Sequence, residues 1–382
     1  MTSPRTFGCF LPPYHDPAKS PYTALRDDIE LCGLADDLGF DEMWLGEHHS
    51  GGWGTLSAPE LLIAAVAGET RRIRFATGIT PLPYHHPVHV AERIALLDHL
   101  TQGRAILGCG TGTYVHDMEM VGVDPATVRG HFRAALDVVK ALLDGQTVDV
   151  ATPWFTVKKA ALQLRPFRER IEVVVASSLS DEAVELLTAT ETTPIVNLAP
   201  PWGAIRPGAE GPDPVGSLAE RIATYRAKSD GTARIRCNLF VHVAESAEQG
   251  IDELMDGWTA QRLGLYRGVL GMPMPSSPAV HRKTLESMVE KGAFIVGDPV
   301  TCVTAIREAI GRVGELDALM FFVPGWLPQP AVREQLTAIA REIIPALLDG
   351  FAGTAESISL VAPEAARQAQ LRAAMTAKAV AV

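Results

Sequence analysis

The sequence predicts a single α/β domain built as an eight-stranded parallel barrel of the TIM type, (β/α)8, with insertions. Three observations predict this fold class. Short runs rich in β-branched residues alternate with helical patterns, eight such runs can be counted, and the 382 residues of the chain suffice for one elaborated barrel. Strands that alternate with helices are typical of parallel βαβ units, and eight units fit a closed barrel better than a doubly wound sheet.

The eight predicted strands are apolar segments that end at glycine, proline or polar residues. In chain order they are Thr6–Phe10, Glu42–Leu45, Ile73–Gly78, Ala105–Gly108, Glu172–Ala176, Pro194–Leu198, Ile235–Val243 and Asp317–Val323. The fifth of them, Glu172–Ala176, is a continuous β-branched stretch, which is typical of a strand buried on both faces.

The clearest helices lie between the first four strands. The first spans Tyr22–Leu38 and ends at Gly39, because glycine readily adopts the left-handed conformation that closes a helix. The second opens near Ser57 with Pro59 in its first turn, where proline is favoured. The third spans Pro87–Leu100. Each helix would return the chain to the start of the next parallel strand, as a barrel requires.

The predicted domain is one barrel over residues 1–350, followed by an Ala-rich C-terminal tail over residues 351–382. Three insertions elaborate the barrel: a hairpin at 147–164, a Gly-, Pro- and Asp-rich mobile loop at 203–216, and a largely helical segment at 247–291 after the seventh strand. We expect the tail to form a helix that packs on a partner subunit.

Composition and charge exclude several classes of protein. A net charge of −11 argues against a nucleic-acid-binding face or a polybasic membrane patch. Five scattered cysteines without a CxxC pair indicate neither a disulfide framework nor a zinc ribbon. With no apolar run that could span a membrane and no signal peptide over Met1–Phe10, we expect a cytoplasmic protein. The acidic pairs Asp27–Asp28 and Asp36–Asp37 on the first helix indicate a solvated surface.

The loop after the second strand carries the triplet Glu47-His48-His49. Active sites of barrels lie at the carboxyl ends of the strands, so this triplet is a candidate site. His48 could act as an acid or base that its neighbours position. The carboxylate and imidazoles could instead bind a metal, although the spacing is not that of HExxH. Both histidines could also be structural, as we expect for His85 and His86 beside a helix start.

Two further loops have the residues of a ligand site. The stretch Ser177–Ser180 follows the fifth strand and precedes a helix, so its hydroxyls and backbone amides could bind an anion or could simply cap the helix. The loop Gly108–Gly112 lacks the GxGxxG spacing and a Walker lysine. Its glycines permit the close approach of something flat and bulky. We expect Cys109 in that loop to be buried and inert.

Three motifs together resemble a known family. They are Gly46-Glu47-His48-His49, Thr77-Gly78-Ile79 with Leu82-Pro83, and the string Leu97–Arg104. At this spacing they resemble the bacterial luciferase-like, flavin-dependent monooxygenases. The similarity runs from about Phe7 to Ala189 and reappears at Gly297-Asp298-Pro299. The string from Gly46 to Trp53 is most similar to the limonene-monooxygenase-like branch.

The resemblance implies a TIM barrel with insertions, usually dimeric, that binds reduced FMN (FMNH2). A separate NAD(P)H:flavin reductase would supply the reduced flavin. Dioxygen would be the co-substrate, activated as a flavin hydroperoxide that oxygenates a small or medium apolar organic molecule. The protein would have to exclude water and supply a proton donor or acceptor.

The resemblance also implies roles for individual residues. His48 falls on the catalytic histidine, with Glu47 and His49 as its supporting neighbours. The positions implied for the cofactor are Gly78 and Ile79 at a cis peptide under the flavin ring, Gly110, Thr111 and Tyr114 in the loop after the fourth strand, and Ser177 and Ser178 at the phosphate. Thr111 replaces an arginine that grips the phosphate in luciferase, Ser177 replaces an acidic residue, and Asp181 brings an unfavourable charge close by.

Three other functions fit parts of the sequence. A deazaflavin-dependent oxidoreductase of the same fold would transfer hydride and consume no oxygen. A metal-dependent TIM-barrel hydrolase would use the paired histidines as ligands. A non-catalytic flavin-binding partner would keep the fold without the activity, although His48 and Glu47 argue against it.

Overall fold

The computed structural model describes residues 6–12, 14–199, 213–229 and 234–350, with a few single residues between 353 and 367. These ranges contain twelve strands. They are β1 (Thr6–Leu11), β2 (Glu42–Leu45), β3 (Arg74–Thr77), β4 (Thr80–Pro81), β5 (Ala105–Gly110), β6 (Val148–Ala151), β7 (Thr156–Ala160), β8 (Glu172–Ala176), β9 (Thr193–Asn197), β10 (Arg236–Val243), β11 (Phe294–Gly297) and β12 (Ala318–Phe322).

Eight of these strands close into a parallel barrel, which confirms the predicted fold class. Around the barrel the order is β1, β2, β3, β5, β8, β9, β10 and β12, and parallel pairing of β12 with β1 completes the circle. Each barrel strand overlaps the segment predicted for it. Two short strands were not predicted: β4 pairs with the end of β5, and β11 pairs with the second half of β10.

Twelve α-helices lie around the barrel in the part of the chain that the structure describes. They are α1 (Pro21–Leu38), α2 (Pro59–Val66), α3 (Pro87–Leu100), α4 (Val115–Met120), α5 (Val128–Leu143), α6 (Asp181–Thr190), α7 (Pro214–Lys228), α8 (Ala247–Gln261), α9 (Pro278–Glu290), α10 (Pro299–Val313), α11 (Gln329–Ala338) and α12 (Ile344–Leu347). The π-helical turns Arg262–Val269 and Ile339–Ile343 continue α8 and α11. No helix in the described ranges is both long and apolar enough to cross a bilayer.

The three segments predicted as insertions contain different secondary structure, and one lies mostly outside the described residues. Strands β6 and β7 form an antiparallel hairpin within 147–164. Helix α8, its π-helical continuation and α9 occupy most of 247–291. The loop predicted at 203–216 is shorter than expected, because α7 already begins at Pro214, where Asp213 caps it; residues 203–212 lie outside the described residues. So does most of the tail 351–382.

The barrel interior is apolar in its middle and charged at its amino-terminal end. Trp44 is fully buried there and donates its indole N–H to Glu42 at 2.9 Å. Arg236 makes two hydrogen bonds of 2.9 Å to the same carboxylate. Arg74 and Arg236 also bind Glu172, at 2.8 and 2.9 Å. Because every charge of this group has an opposite partner, that end of the barrel is closed and compensated.

One acidic residue of α1 is not on the surface as predicted. Asp28 is fully buried, and its carboxylate lies 3.1 Å from Nε2 of His15. Asp36 accepts hydrogen bonds from three consecutive backbone amides, those of residues 71–73. The surface interpretation of both acidic pairs is therefore wrong for Asp28 and incomplete for Asp36, because these side chains bind partners distant in sequence.

Candidate active site

Four side chains from three different loops meet at the carboxyl end of the barrel. Tyr14 follows β1, His48 follows β2, and Tyr114 and Asp117 follow β5. The side chains of Tyr14, Tyr114 and Asp117 are buried, whereas the His48 side chain is 15% exposed. The parallel strands bring these loops to one edge, which is the reason that barrels place active sites there.

His48 is held between the two tyrosines. Its Nε2 atom lies 3.0 Å from the hydroxyl of Tyr14, and that hydroxyl lies 2.9 Å from the hydroxyl of Tyr114. The imidazole also stacks on both rings, with centroid distances of 4.3 Å to Tyr114 and 5.2 Å to Tyr14. Stacking and hydrogen bonding together fix the orientation of the imidazole.

Asp117 lies on the other side of the imidazole. Its Oδ2 is 3.7 Å from Nδ1 of His48 and accepts the backbone N–H of His49 at 3.3 Å, while Oδ1 accepts the hydroxyl of Ser50. Burial by itself would raise the pKa of Asp117, but the nearby His48 imidazole and the hydrogen bonds from Ser50 and the backbone of His49 outweigh it and lower the pKa. Asp117 is therefore an ionised carboxylate facing Nδ1.

The two tyrosines are kept protonated. Burial raises the pKa of Tyr14 to about 12, although the hydrogen bond with Tyr114 acts in the opposite direction. Burial also raises the pKa of Tyr114 far above its ordinary value, and the neighbouring Tyr14 raises it further. Near neutral pH both side chains are therefore hydroxyl groups that can donate and accept at once.

Glu47 and His49 form a separate group with His85. Oε1 of Glu47 accepts a hydrogen bond from Nε2 of His49 at 2.9 Å and another from Nε2 of His85 at 2.7 Å. Burial alone would raise the pKa of Glu47, yet these two hydrogen bonds lower it. The hydrogen bond to Glu47 raises the pKa of His49, against the opposite effect of its burial. Glu47 thus anchors the loop on one side while His48 faces the other.

The same three residues are near enough to one another to be considered as metal ligands. Their hydrogen-bonding pattern argues against that use. Arg93 donates from Nη2 to Nδ1 of His85 at 3.3 Å, so Nδ1 carries no proton and Nε2–H is the donor to Glu47. A metal at Nε2 would require this proton to move to Nδ1, where it would face the guanidinium donor of Arg93.

The residues expected at a flavin ring line the neighbouring strand ends. The peptide bond between Gly78 and Ile79 is cis, as the resemblance implies. A Cβ atom on Gly110 would lie 2.6 Å from Cδ1 of Ile79, so only glycine lets the Ile79 side chain rest on the β5 backbone. Thr111 is half-buried, and its hydroxyl bonds to the carbonyl of Gly112 at 3.1 Å. The short strand β4, directly after Ile79, pairs with Cys109 and Gly110, so these positions lie side by side at the ends of neighbouring strands.

In the serine stretch after β8, one hydroxyl caps helix α6, and other hydroxyl and amide groups can still donate hydrogen bonds. Ser180 accepts the backbone N–H of Ala183 at 3.4 Å and so caps α6, as predicted for the capping alternative. Ser177 accepts the N–H of Leu179 at 2.9 Å, and Ser178 is exposed. The hydroxyl protons and the first amides of α6 are still available to an anion. Asp181 is exposed, so its charge is screened by solvent.

Sequence reasoning identified part of this arrangement. It singled out His48, Tyr114, Gly78 and Ile79, which lie close to one end of the barrel. It assigned no role to Tyr14 or Asp117, although Tyr14 stands directly after the first strand. The only available signal for Asp117 was its position three residues after Tyr114, one helical turn further on.

The family is decided by comparison with known proteins. A family model described as luciferase-like monooxygenase matches residues 5–314. The chain belongs to this family. The expected enzyme class, a flavin-dependent monooxygenase, is confirmed at the level of the family, as is the luciferase-like TIM barrel.

Two relatives of this luciferase-like monooxygenase extend over most of its length. A 4-hydroxyprotoasukamycin monooxygenase of Streptomyces nodosus subsp. asukaensis is 38% identical over 367 residues, covering 95% of this chain and 98% of the relative. A limonene 1,2-monooxygenase of Rhodococcus erythropolis is 33% identical over 349 residues, covering 89% and 86%. The latter agrees with the similarity of residues 46–53 to the limonene-monooxygenase-like branch.

A solved structure shares the fold. The oxygenating constituent of 3,6-diketocamphane monooxygenase from Pseudomonas putida, a type II Baeyer–Villiger monooxygenase in complex with FMN, superposes with a TM-score of 0.71 at 22% identity. The match covers 90% of this chain and 98% of that one.

Proposed function

We propose that this luciferase-like monooxygenase is the oxygenating component of a two-component system. It takes reduced FMN from a separate NAD(P)H:flavin reductase and activates dioxygen as a flavin hydroperoxide to oxygenate a small or medium apolar substrate. The observation that carries the proposal is the position of His48. Its imidazole lies among tyrosines and an ionised aspartate at the carboxyl end of a barrel whose family uses flavin.

The strand ends beside His48 fit a flavin. Strands β5 and β8 are neighbours, so Gly110 and Ala176 come together, and Ser177 and Ser178 follow at the same edge. The ring would rest against the cis peptide of Gly78 and Ile79, beside Gly110 at the end of β5. The phosphate would bind the serine hydroxyls and the amino-terminal amides of α6. Thr111 and Tyr114 would border the cofactor.

His48 supplies the acid–base function. An imidazole can hold or release a proton near neutral pH, which an oxygenation needs when oxygen atoms gain or lose protons. Glu47 and His49 support it indirectly, because their hydrogen bond holds the loop from which His48 projects.

The surroundings of His48 favour an apolar substrate. Its two stacking partners belong to a cluster of buried aromatic and apolar side chains, formed by Tyr14, Trp53, Tyr114, Leu265, Tyr266 and Met274. Two of these residues and their neighbours belong to the π-helical turn Arg262–Val269. One relative is named for limonene, which is an apolar hydrocarbon and thus an example of the substrate class proposed here.

The enzyme would act as a homodimer in the cytoplasm. All five cysteines are free thiols, which is typical of a reducing compartment, and a reductase that uses NAD(P)H would share that compartment. Sedimentation velocity would report a dimeric mass if the homodimer is correct and a monomeric mass if it is not.

The test of the function is a titration with FMN, first oxidised and then anaerobically reduced, followed by admission of oxygen. We expect saturable binding that is tighter for reduced FMN, and consumption of oxygen when it is admitted. His48→Ala should retain flavin binding and lose product formation, while His116→Ala, at an exposed histidine of α4, should change neither. Failure to bind FMN in either state, or hydride transfer without oxygen uptake, would overturn the proposal.

A further inference from the structure

We propose that Tyr14 conducts the proton that His48 exchanges with the reaction, and that Asp117 is the positioning residue that fixes the tautomer of His48. The chain Asp117–His48–Tyr14–Tyr114 is then one proton relay. This inference rests on the proposed function, since it names the path by which the acid–base residue works.

Both ring nitrogens of His48 are engaged, which leaves few routes for a proton. Nδ1 faces the carboxylate of Asp117 at 3.7 Å, and Nε2 faces the hydroxyl of Tyr14 at 3.0 Å. An ionised carboxylate favours a proton on Nδ1, so Nε2 is the nitrogen that accepts and releases. The neighbour of Nε2 is the Tyr14 hydroxyl, and the exchanged proton passes through it.

The transfer leaves each tyrosine unchanged in charge. When His48 releases a proton, Nε2–H breaks and the proton joins the oxygen of Tyr14. The original proton of Tyr14 moves to the oxygen of Tyr114, 2.9 Å away, and the proton of Tyr114 passes to an oxygen atom derived from the reacting dioxygen. The reverse sequence returns a proton to Nε2. No electrons are gained or lost, and neither phenol becomes a phenolate at the end of the step.

The backbone fixes Tyr14 and His48 relative to each other. Tyr14 forms an isolated antiparallel bridge with Gly54, and the N–H of His15 donates to the carbonyl of Trp53 at 2.8 Å. On the other side, a Cβ on Gly325 would lie 2.2 Å from the carbonyl oxygen of Tyr14. The loop of Tyr14 is therefore clamped between the loop of His48 and the end of β12, which keeps the relay distances short.

The experiment uses the whole protein with reduced FMN and dioxygen as probes, so that no organic substrate is required. The variants are Tyr14→Phe and Tyr114→Phe, which keep the stacked rings and remove one hydroxyl each, and Asp117→Asn. Their matched controls are Tyr22→Phe, at a largely exposed tyrosine of α1, and Asp137→Asn, at an exposed aspartate of α5. Three readouts are taken: reduced-FMN affinity, the rate at which oxidised FMN returns after oxygen is admitted, and its solvent isotope effect across pH.

We expect unchanged reduced-FMN affinity in Tyr14→Phe, in Asp117→Asn and in both controls. In Tyr14→Phe the return of oxidised FMN should be at least about tenfold slower, in line with the contribution of a positioned acid or base. The rate at which oxidised FMN returns should also depend differently on the fraction of deuterium in the solvent. We expect a curved dependence in the native protein, because several protons move in one step, and a linear dependence in Tyr14→Phe. Combining Tyr14→Phe with His48→Ala should cost no more than His48→Ala alone, because residues of one relay act as a unit.

Nitrogen-15 NMR of the His48 ring provides a readout that does not depend on flavin chemistry. We expect a proton on Nδ1 in the native protein and a mixture of tautomers in Asp117→Asn. A native isotope effect and pH profile in Tyr14→Phe, or an unchanged tautomer in Asp117→Asn, would overturn the relay. If the native protein neither binds reduced FMN nor consumes oxygen, the proposed function fails instead, and an Nε2–H tautomer would then refute the relay as well.

Discussion

Gly54 packs directly against His48: a Cβ atom on Gly54 would lie 2.7 Å from Cβ of His48 and 3.2 Å from its ring. No real Cβ contact is that short, so the loop that carries His48 can fold back on itself here only with glycine at position 54. The same segment pairs with Tyr14. Gly54 therefore sets the position of His48 relative to the loop that carries Tyr14.

Gly54→Ala should displace His48 and strongly reduce activity. We expect the return of oxidised FMN after oxygen is admitted to differ from the native rate by at least about tenfold, because small displacements of a catalytic group are costly. The control is Gly33→Ala in α1, where a Cβ meets nothing within 4 Å. That change should be neutral or stabilising by about 0.5–1 kcal/mol. A Gly54→Ala enzyme with native kinetics would show that this contact does not set the site.

The pair Glu47–His49 should make the stability of the loop 46–54 depend on pH. The pKa of His49 is raised, so its contribution is complete below the unfolded value of about 6.5 and is lost as pH rises through the folded pKa. The pKa of Glu47 is lowered, so its contribution is complete above about 4.3 and is lost as pH falls through the folded pKa. Both contributions are therefore present together between about pH 4.3 and 6.5.

Histidine NMR titrations and amide hydrogen exchange of residues 46–54 would measure this dependence. We expect His49 to titrate above its ordinary value and the loop to exchange faster as pH passes that point, after correction for intrinsic exchange. Glu47→Gln should abolish the upward shift. A His49 that titrates normally in the native protein would contradict the pairing.

Removing Arg236 should destabilise the barrel far more than removing an exposed arginine. Arg236→Met leaves Glu42, which is 1% exposed, without its two short hydrogen bonds and with only Arg74, at 3.4 Å, as a cationic partner. Removing one partner of a buried ion pair costs about 3–5 kcal/mol. Arg129→Met is the control. Its exposed ion pair with Glu182 should contribute about 0–1 kcal/mol. Urea unfolding of the variants measures both losses, and equal losses would refute the difference in burial as their cause.

The cluster Glu47–His49–His85 should remain free of metal. We expect well below one equivalent of transition metal in the purified protein and no loss of activity with a chelator, because Arg93 fixes the His85 tautomer whose Nε2 is protonated. Arg93→Met removes that constraint and should raise the affinity for zinc, measured by competition with a chromophoric chelator. About one tightly bound equivalent in the native protein would contradict this expectation and restore the hydrolase alternative.

Ser178→Asp should weaken the binding of FMN without affecting the binding of riboflavin. The added negative charge would stand at the proposed phosphate site before α6, and it should lower the affinity for FMN by at least about tenfold, corresponding to about 1.4 kcal/mol. Riboflavin has no phosphate and serves as the control ligand. Anaerobic titrations of both reduced flavins give the comparison. Equal weakening of both would indicate a general disturbance, and no weakening would remove the phosphate from this loop.

The strands and the general position of the site follow from local patterns. Glu42–Leu45 and Glu172–Ala176 have the bounds predicted for them, since apolar runs between turn residues carry their own signal. The strand β11 was not predicted, because its four residues form a strand only by adding to the second half of β10. Asp28 illustrates the same limit: its burial depends on His15, which belongs to another loop.

The barrel, the family resemblance and the choice of His48 could all be predicted from the sequence, because periodicity, turn residues and motif spacing are properties of neighbouring residues. The contacts of His48 could not, because they depend on how distant segments pack together. Side chains at successive positions of an extended segment point to opposite sides, so Glu47 and His49 turn together toward His85 while His48 turns toward Tyr14 and Asp117. Those partners come from loops after β1 and β5, and closure of the barrel is what places them beside one another.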